Sequence, residues 1–125
     1  MNNTIKYNQS GEDYLESIFI LSSQLPVVHR VDISKRLSVS SAAVNKAVNI
    51  LLEGGFVYEE GKHLYLTEKG TTYAEKIYQK HCLLRSFLRK LGVSEENAEL
   101  DACKLEHLLS DESFSAIKNF TEEEK

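Results

Sequence analysis

The chain has 125 residues, a net charge of −4, and hydrophobic and charged fractions of 42% and 27%, the proportions of an ordinary globular protein with room for one domain, or one core with a helical extension. No apolar run approaches the ~20 residues of a membrane span, and the polar N-terminus Met1-Asn-Asn-Thr-Ile-Lys-Tyr7 lacks the apolar stretch of a secretory signal. Membrane and secreted classes are therefore set aside, and Cys82 and Cys103 read as reduced thiols of a cytoplasmic protein.

An acidic balance argues against electrostatic binding of nucleic acid, until the charge is divided along the chain. Residues 1–72 hold 7 basic and 8 acidic residues; residues 73–125 hold 8 and 11. The excess acid is C-terminal and includes Glu122-Glu123-Glu124, which reads as a solvated tail. The first half concentrates acid in Glu12, Asp13 and Glu16, where a bound cation would raise the local charge.

In chain order, residues 2–10 are polar and are expected to be ordered only by docking. Apolar residues then recur at helical spacing from Glu12 to Leu25, with Ser10 as N-cap and Pro26 as terminator. Residues 30–54 read as two helices joined by a tight turn at Ser38-Val39-Ser40. The first, over 31–37, has Ile33 and Leu37 on one face. The second, over 41–53, sets Val44, Val48, Leu51 and Leu52 opposite Asn45, Lys46 and Asn49. Ser40 or Ser41 caps it, and Gly54-Gly55 closes it. The period then shortens: Phe56–Glu59 and His63–Leu66 form a hairpin across Glu60-Gly61-Lys62. Thr67 caps a helix running to Leu91, roughly 35 Å at ~1.5 Å per residue. Gly92 stops it. Ser94 caps a helix over 95–109, and Ser110-Asp111-Glu112 opens a last one through Phe120, its acids at the favourable end of the dipole. The helical stripe places Tyr14, Tyr73 and Leu84 in the core.

Two constellations carry chemistry. The order helix, helix-turn-helix, two-stranded wing is the winged-helix DNA-binding pattern, in which the second helix of the pair enters the major groove. Ser40, Ser41, Ala42, Asn45 and Lys46 would then face bases and phosphates, with Lys62 at the wing tip reaching a flanking phosphate. The plainer alternative is a solvated polar face. The other constellation centres on Cys103-Lys-Leu-Glu-His107. Positions i, i+3 and i+4 share one helix face, so Cys103, Glu106 and His107 offer a thiolate, a carboxylate and an imidazole together. Asp13 and Glu16 on the first helix and His81 on the long one are further candidates. Three carboxylates and two imidazoles suit Mn²⁺ or Fe²⁺, and a thiolate tilts towards Fe²⁺, Co²⁺ or Zn²⁺. Cys82 reads as a packing residue, and His29 and His63 receive no metal role.

The fold class expected is mainly α: an N-terminal winged helix-turn-helix with a two-stranded wing over 1–72, then a helical dimerisation and metal-binding region over 73–125. Gly11-Glu-Asp-Tyr-Leu-Glu-Ser-Ile18, Val31–Leu37, Leu66-Thr-Glu-Lys-Gly70, His81-Cys-Leu-Leu84 and Ala102–Ser110 together resemble the diphtheria-toxin-repressor/manganese-transport-regulator family, over essentially the whole chain. The resemblance implies a homodimeric repressor that binds a double-stranded operator and takes metal between its two regions. Family ligand positions match Asp13, Glu16, His81, Cys103, Glu106 and His107. The set is a hybrid. Carboxylates at 13 and 16 are typical of the manganese-sensing branch, and Cys at 103 of the iron-sensing branch. Arg85 stands where iron-sensing members place a Glu of an ancillary site, and Ser41 where many members carry proline. The implied mechanism is repression activated by Mn²⁺ or Fe²⁺, with Zn²⁺ or Co²⁺ able to bind in vitro, controlling metal-homeostasis genes. The alternative is a winged-helix regulator with a degenerate site, controlled by cysteine redox or a protein partner. A metal-dependent hydrolase is set aside: six protein ligands leave little room for substrate.

Overall fold

The structure is a computed structural model that describes the backbone of residues 2–123 and the side chains of residues 11–123. It holds α1 (Asn2–Gln24), α2 (Arg30–Leu37), α3 (Ser41–Glu53), β1 (Val57–Glu60), β2 (His63–Leu66), α4 (Glu68–Lys90), α5 (Glu95–Leu108) and α6 (Asp111–Glu123). Packing divides the chain within α4, into units of residues 1–76 and 77–125.

In the N-terminal unit each helix contributes an apolar stripe at intervals of three and four. Leu15 and Ile18 on α1, Ile33 on α2, and Val44 and Val48 on α3 are almost wholly inaccessible. Val28, Val57 and Leu64 close the same core from the hairpin side. The caps explain where the helices stop and start. The Asp32 carboxylate accepts from the His29 backbone N–H at 2.8 Å, at the start of α2. Ser38 ends α2 in the left-handed region at φ 55°. The Ser40 hydroxyl accepts from the Ala43 N–H at 3.1 Å and opens α3.

The hairpin is tighter than the sequence suggests. Glu60 pairs with His63, so only Gly61 and Lys62 form the turn, both at positive φ (55° and 71°), as a type I′ turn requires. Tyr58 and Tyr65 are cross-strand partners, and their rings stack at 5.1 Å. Val28 adds a single bridge to Leu64 through a 2.8 Å hydrogen bond. The start of α4 locks onto the turn after α3. Thr67 donates its N–H to the Phe56 carbonyl at 3.1 Å and its hydroxyl to the Gly55 carbonyl at 2.7 Å. Gly70 lies flush against that turn: a Cβ there would stand 1.8 Å from the Phe56 oxygen.

In the C-terminal unit the Ser94 hydroxyl accepts from the Asn97 N–H at 3.2 Å and opens α5, and the Ser110 hydroxyl accepts from Ser113 at 3.1 Å and opens α6. Leu84, Ala98 and Ala102 are fully buried. Phe87 on α4 meets Phe120 on α6 edge-on at 6.3 Å.

Two expectations are corrected. Helix α1 begins at Asn2, so residues 2–10 are helical in backbone and residue 10 lies inside the helix; the Ser10 side chain itself lies outside the described residues. Tyr73 is 40% exposed. The buried stripe of α4 passes through Ala74, Ile77, His81 and Leu84, one residue out of phase with Tyr73, whose hydroxyl instead donates to Glu12 at 2.6 Å. Helix α4 ends at Lys90, as expected near Leu91, and Leu91 itself is 62% exposed. Of the acidic tail, Glu122 and Glu123 are exposed and Glu124 lies outside the described residues.

Candidate metal centre and nucleic-acid interface

Of the six sequence-predicted metal ligands, the structure brings three together in the C-terminal unit. His81 lies on α4, and Cys103 and Glu106 lie three residues apart on one face of α5. Their ligand atoms all fall within 4.8 Å of one another. His81 Nδ1 is 3.2 Å from Glu106 Oε1 and 3.7 Å from Cys103 Sγ. With metal–ligand bonds of about 2.0–2.3 Å, two donors on one ion stand about 3–3.7 Å apart, so thiolate, imidazole and carboxylate fit a single divalent cation with little adjustment. Two of its members are buried, the side chains of His81 and Glu106 being 6% and 0% exposed, and Cys103 is half-buried. His107 is half-buried beside Glu106 on α5. In the N-terminal unit, Asp13 is half-buried and Glu16 buried on α1.

The electrostatics favour a cation. Hydrogen bonds to Cys103 and then Glu106 push the His81 imidazole up to about 11, against the opposing effect of burial and with further help from Glu99. The imidazole therefore keeps its second proton at neutral pH, and a cation held at this position would have to displace it.

Sequence reasoning missed Glu99 in this network and named Arg85 only for the Glu it replaces. Glu99 Oε2 lies 2.9 Å from His81 Nε2, on the far side of the ring from Cys103 and Glu106. Arg85 donates to the other Glu99 oxygen at 3.2 Å. Burial pushes the Glu99 carboxyl up, but the hydrogen bond and charge of His81, with those of Arg85, outweigh it and hold the group below the usual carboxylate value. A signal was present in the spacing. Glu99 precedes Cys103 by four residues and Arg85 follows His81 by four, so each shares a helix face with a candidate ligand.

On the winged helix, Ser40, Ser41, Ala42, Asn45 and Lys46 are exposed along the start of α3, and Lys62 is exposed at the hairpin tip. Asn45 is not simply solvated. Its Oδ1 accepts from Arg30 Nη1 at 3.1 Å, while the same guanidinium grips Glu59 on β1 through two bonds, of 3.0 Å and 2.9 Å. Arg30 thus ties the start of α2 to the wing and to the exposed face of α3. The Arg30 hydrogen bond lowers the Glu59 carboxyl, against burial. Arg30 and Glu59 lie 29 residues apart, a separation with no local signature.

A winged helix followed by a helical unit that gathers His81, Cys103 and Glu106 side chains is the layout of a metal-responsive DNA-binding regulator. Residues 6–64 match the iron dependent repressor N-terminal DNA binding domain, and residues 67–124 match the iron dependent repressor metal binding and dimerisation domain. The chain belongs to this family of metal-dependent transcriptional regulators, the one its motifs resemble. It is 41% identical to an uncharacterised HTH-type transcriptional regulator of Methanocaldococcus jannaschii, over 94% of this chain and 97% of that one. It is 38% identical to the HTH-type transcriptional regulator MntR of Geobacillus kaustophilus, over 93% and 86%. Among solved structures, the manganese regulator SloR superposes with a TM-score of 0.79 at 32% identity, over 88% of this chain and 52% of SloR. A manganese-dependent transcriptional repressor solved with manganese gives 0.79 at 28%, over 89% and 52%. The chain thus spans about half the length of those two solved relatives.

Proposed function

We propose that this chain is a metal-activated repressor that binds operator DNA as a homodimer in the cytoplasm. Residues 1–72 would read DNA and residues 73–125 would hold metal and pair the subunits. The observation that carries the reading is the His81–Cys103–Glu106 cluster in a chain whose other unit is a winged helix. The full ligand set proposed is Asp13, Glu16, His81, Cys103, Glu106 and His107, and the metal Mn²⁺ or Fe²⁺; Zn²⁺ and Co²⁺ would also bind in vitro. A bound divalent cation supplies a cross-link among these donors and neutralises their charge. His81 would give up a proton to serve as a donor, while Cys103 and Glu106 would supply a softer and a harder donor from one face of α5. On the DNA side, Ser40, Ser41, Ala42, Asn45 and Lys46 would enter the major groove and Lys62 would meet a flanking phosphate. Metal-homeostasis genes are the proposed targets.

Control requires only that metal favour the DNA-competent arrangement. A coupling of about 1–3 kcal/mol raises DNA affinity roughly 5- to 150-fold. The test is anaerobic titration of reduced apoprotein with Mn²⁺, Fe²⁺, Co²⁺ and Zn²⁺, read as binding to its own promoter DNA. Activation by Mn²⁺ or Fe²⁺, lost in Glu106→Ala and His107→Ala proteins that remain folded, supports the reading. Undiminished metal stimulation in both variants overturns the site, and equal binding with and without every metal overturns the mechanism.

A further inference from the structure

We propose that Glu99, anchored by Arg85, is a positioning residue that fixes His81 so that Nδ1 is the nitrogen presented to metal. The inference rests on the metal-site reading above.

A neutral imidazole has one N–H and one lone pair, and a metal needs the lone pair. His81 faces two different environments. Its Nδ1 looks at Cys103 Sγ and Glu106 Oε1, both candidate ligands. Its Nε2 looks at Glu99 Oε2 alone, at 2.9 Å. Without metal both nitrogens face carboxylates and both carry hydrogen; once Nδ1 gives up its hydrogen to a metal, Glu99, a carboxylate that accepts and cannot donate, would keep the remaining hydrogen on Nε2. The opposite tautomer would set a lone pair against the carboxylate and aim an N–H at the metal position. Glu99 therefore leaves Nδ1 as the lone-pair nitrogen, makes the ring a better donor and holds its plane. This is the role a carboxylate behind a metal-bound histidine plays elsewhere, where its loss typically costs about 10- to 100-fold in metal affinity.

Arg85 gives the arrangement its second half. Glu99 sits one turn before Cys103 on α5 and its side chain is 47% exposed, so nothing in its burial would hold it behind the ring. The Arg85 guanidinium binds Oε1 at 3.2 Å and leaves Oε2 for His81. The same contact gives Glu99 a reason to stay a hydrogen-bond acceptor instead of turning towards Cys103 and Glu106 as a further ligand. Arg85 and His81 are one turn apart on α4, so a single helix face carries both the imidazole and the clamp on its partner.

The experiment compares the wild-type chain with Glu99→Leu, Glu99→Gln, Arg85→Met and His81→Ala. Each is checked for folding by circular dichroism. Affinity is read by Co²⁺ titration of the absorption bands, and ligation by ¹⁵N chemical shifts of labelled histidine in Zn²⁺-loaded protein. Wild type should show Nδ1 ligation with hydrogen on Nε2. Glu99→Leu should lose about 10- to 100-fold in affinity and show mixed or Nε2 ligation. Glu99→Gln, whose amide oxygen still accepts, should recover Nδ1 ligation and most of the affinity. Arg85→Met should lose about 2- to 5-fold, the scale of a half-exposed ion pair. Wild-type affinity and Nδ1 ligation in Glu99→Leu overturn the inference; should that variant not fold, the same result in Arg85→Met together with full loss of affinity in Glu99→Gln does so. If His81→Ala binds Co²⁺ as wild type does, the metal-site reading itself has failed, and the two failures are thereby distinguished.

Discussion

Replacing a helical glycine by alanine ordinarily stabilises a protein by about 1 kcal/mol, because alanine is the better helix former. This fold makes opposite predictions for two helical glycines. At Gly11 on α1 an added Cβ meets open space, so Gly11→Ala should stabilise by about 0.5–1 kcal/mol. At Gly70 on α4 the Cβ would lie 1.8 Å from the Phe56 carbonyl oxygen, where anything below 3.0 Å forces a shift. The obstacle is backbone, so the start of α4 must retreat by more than an ångström. That movement breaks the Thr67 bonds to Phe56 and Gly55 (3.1 and 2.7 Å) and the Lys69 bond to the Gly54 carbonyl (2.8 Å). At about 1 kcal/mol net for each, the loss is about 3 kcal/mol. Subtracting the gain in helix propensity leaves Gly70→Ala about 2 kcal/mol less stable than wild type. Urea denaturation of both variants under identical conditions measures the difference. A Gly70→Ala protein as stable as wild type, or stabilised like Gly11→Ala, would refute the close approach of α4 to the turn after α3.

Arg30→Met should cost about 1 kcal/mol, the range of a bidentate pair near the surface. Because Glu59 titrates below its ordinary 4.5 when folded, that contribution is present above pH 4.5 and vanishes as pH falls through the folded value; denaturation curves of variant and wild type should converge there, and a pH-independent gap would contradict the pair. The Tyr73 hydroxyl, donating to Glu12, is pushed from 10.0 up to about 12 by that bond and by burial. Its contribution is therefore present below pH 10 and lost between pH 10 and 12, so the stability of Tyr73→Phe should decline less steeply than that of wild type over that interval, and parallel declines would argue against the bond. If His81 is a metal ligand as proposed, metal would have to displace its proton, and apparent Co²⁺ affinity should rise with pH between 6 and 8 by up to about tenfold per unit for each proton released; an affinity flat in pH would mean that His81 is not a ligand.

Local period and punctuation made much of this fold legible. Val44, Val48 and Leu51 announced the buried face of α3, Gly54-Gly55 its end, and Ser40, Thr67 and Ser94 the starts of three helices. The i, i+3 spacing of Cys103 and Glu106 placed both on one face, and the structure brings His81 to them. What stayed hidden depended on contacts distant in sequence. Nothing near Arg30 indicates Glu59 or Asn45. Tyr73 fits an apolar stripe equally well one residue out of phase, and only packing shows that Ala74 holds the buried position. Ser10 has the chemistry of a cap, yet the helix passes through it, because a cap residue is a preference that a continuing helix overrides. Glu99 was passed over because a carboxylate on an acidic helix looks like any solvated one until the imidazole opposite it is known.

The two-residue wing turn has a cost at its second position. Lys62 adopts φ 71°, a region where an L-residue gives up roughly 1–2 kcal/mol and glycine almost nothing. Lys62→Gly would therefore relieve strain at the hairpin tip while removing the one cation the turn carries. With the phosphate contact proposed for Lys62, thermal tolerance and grip on DNA would be opposed at a single residue. Selection for a sturdier domain would erode that proposed contact first, visible as a salt dependence of DNA binding shallower by about one unit in a protein that melts no earlier.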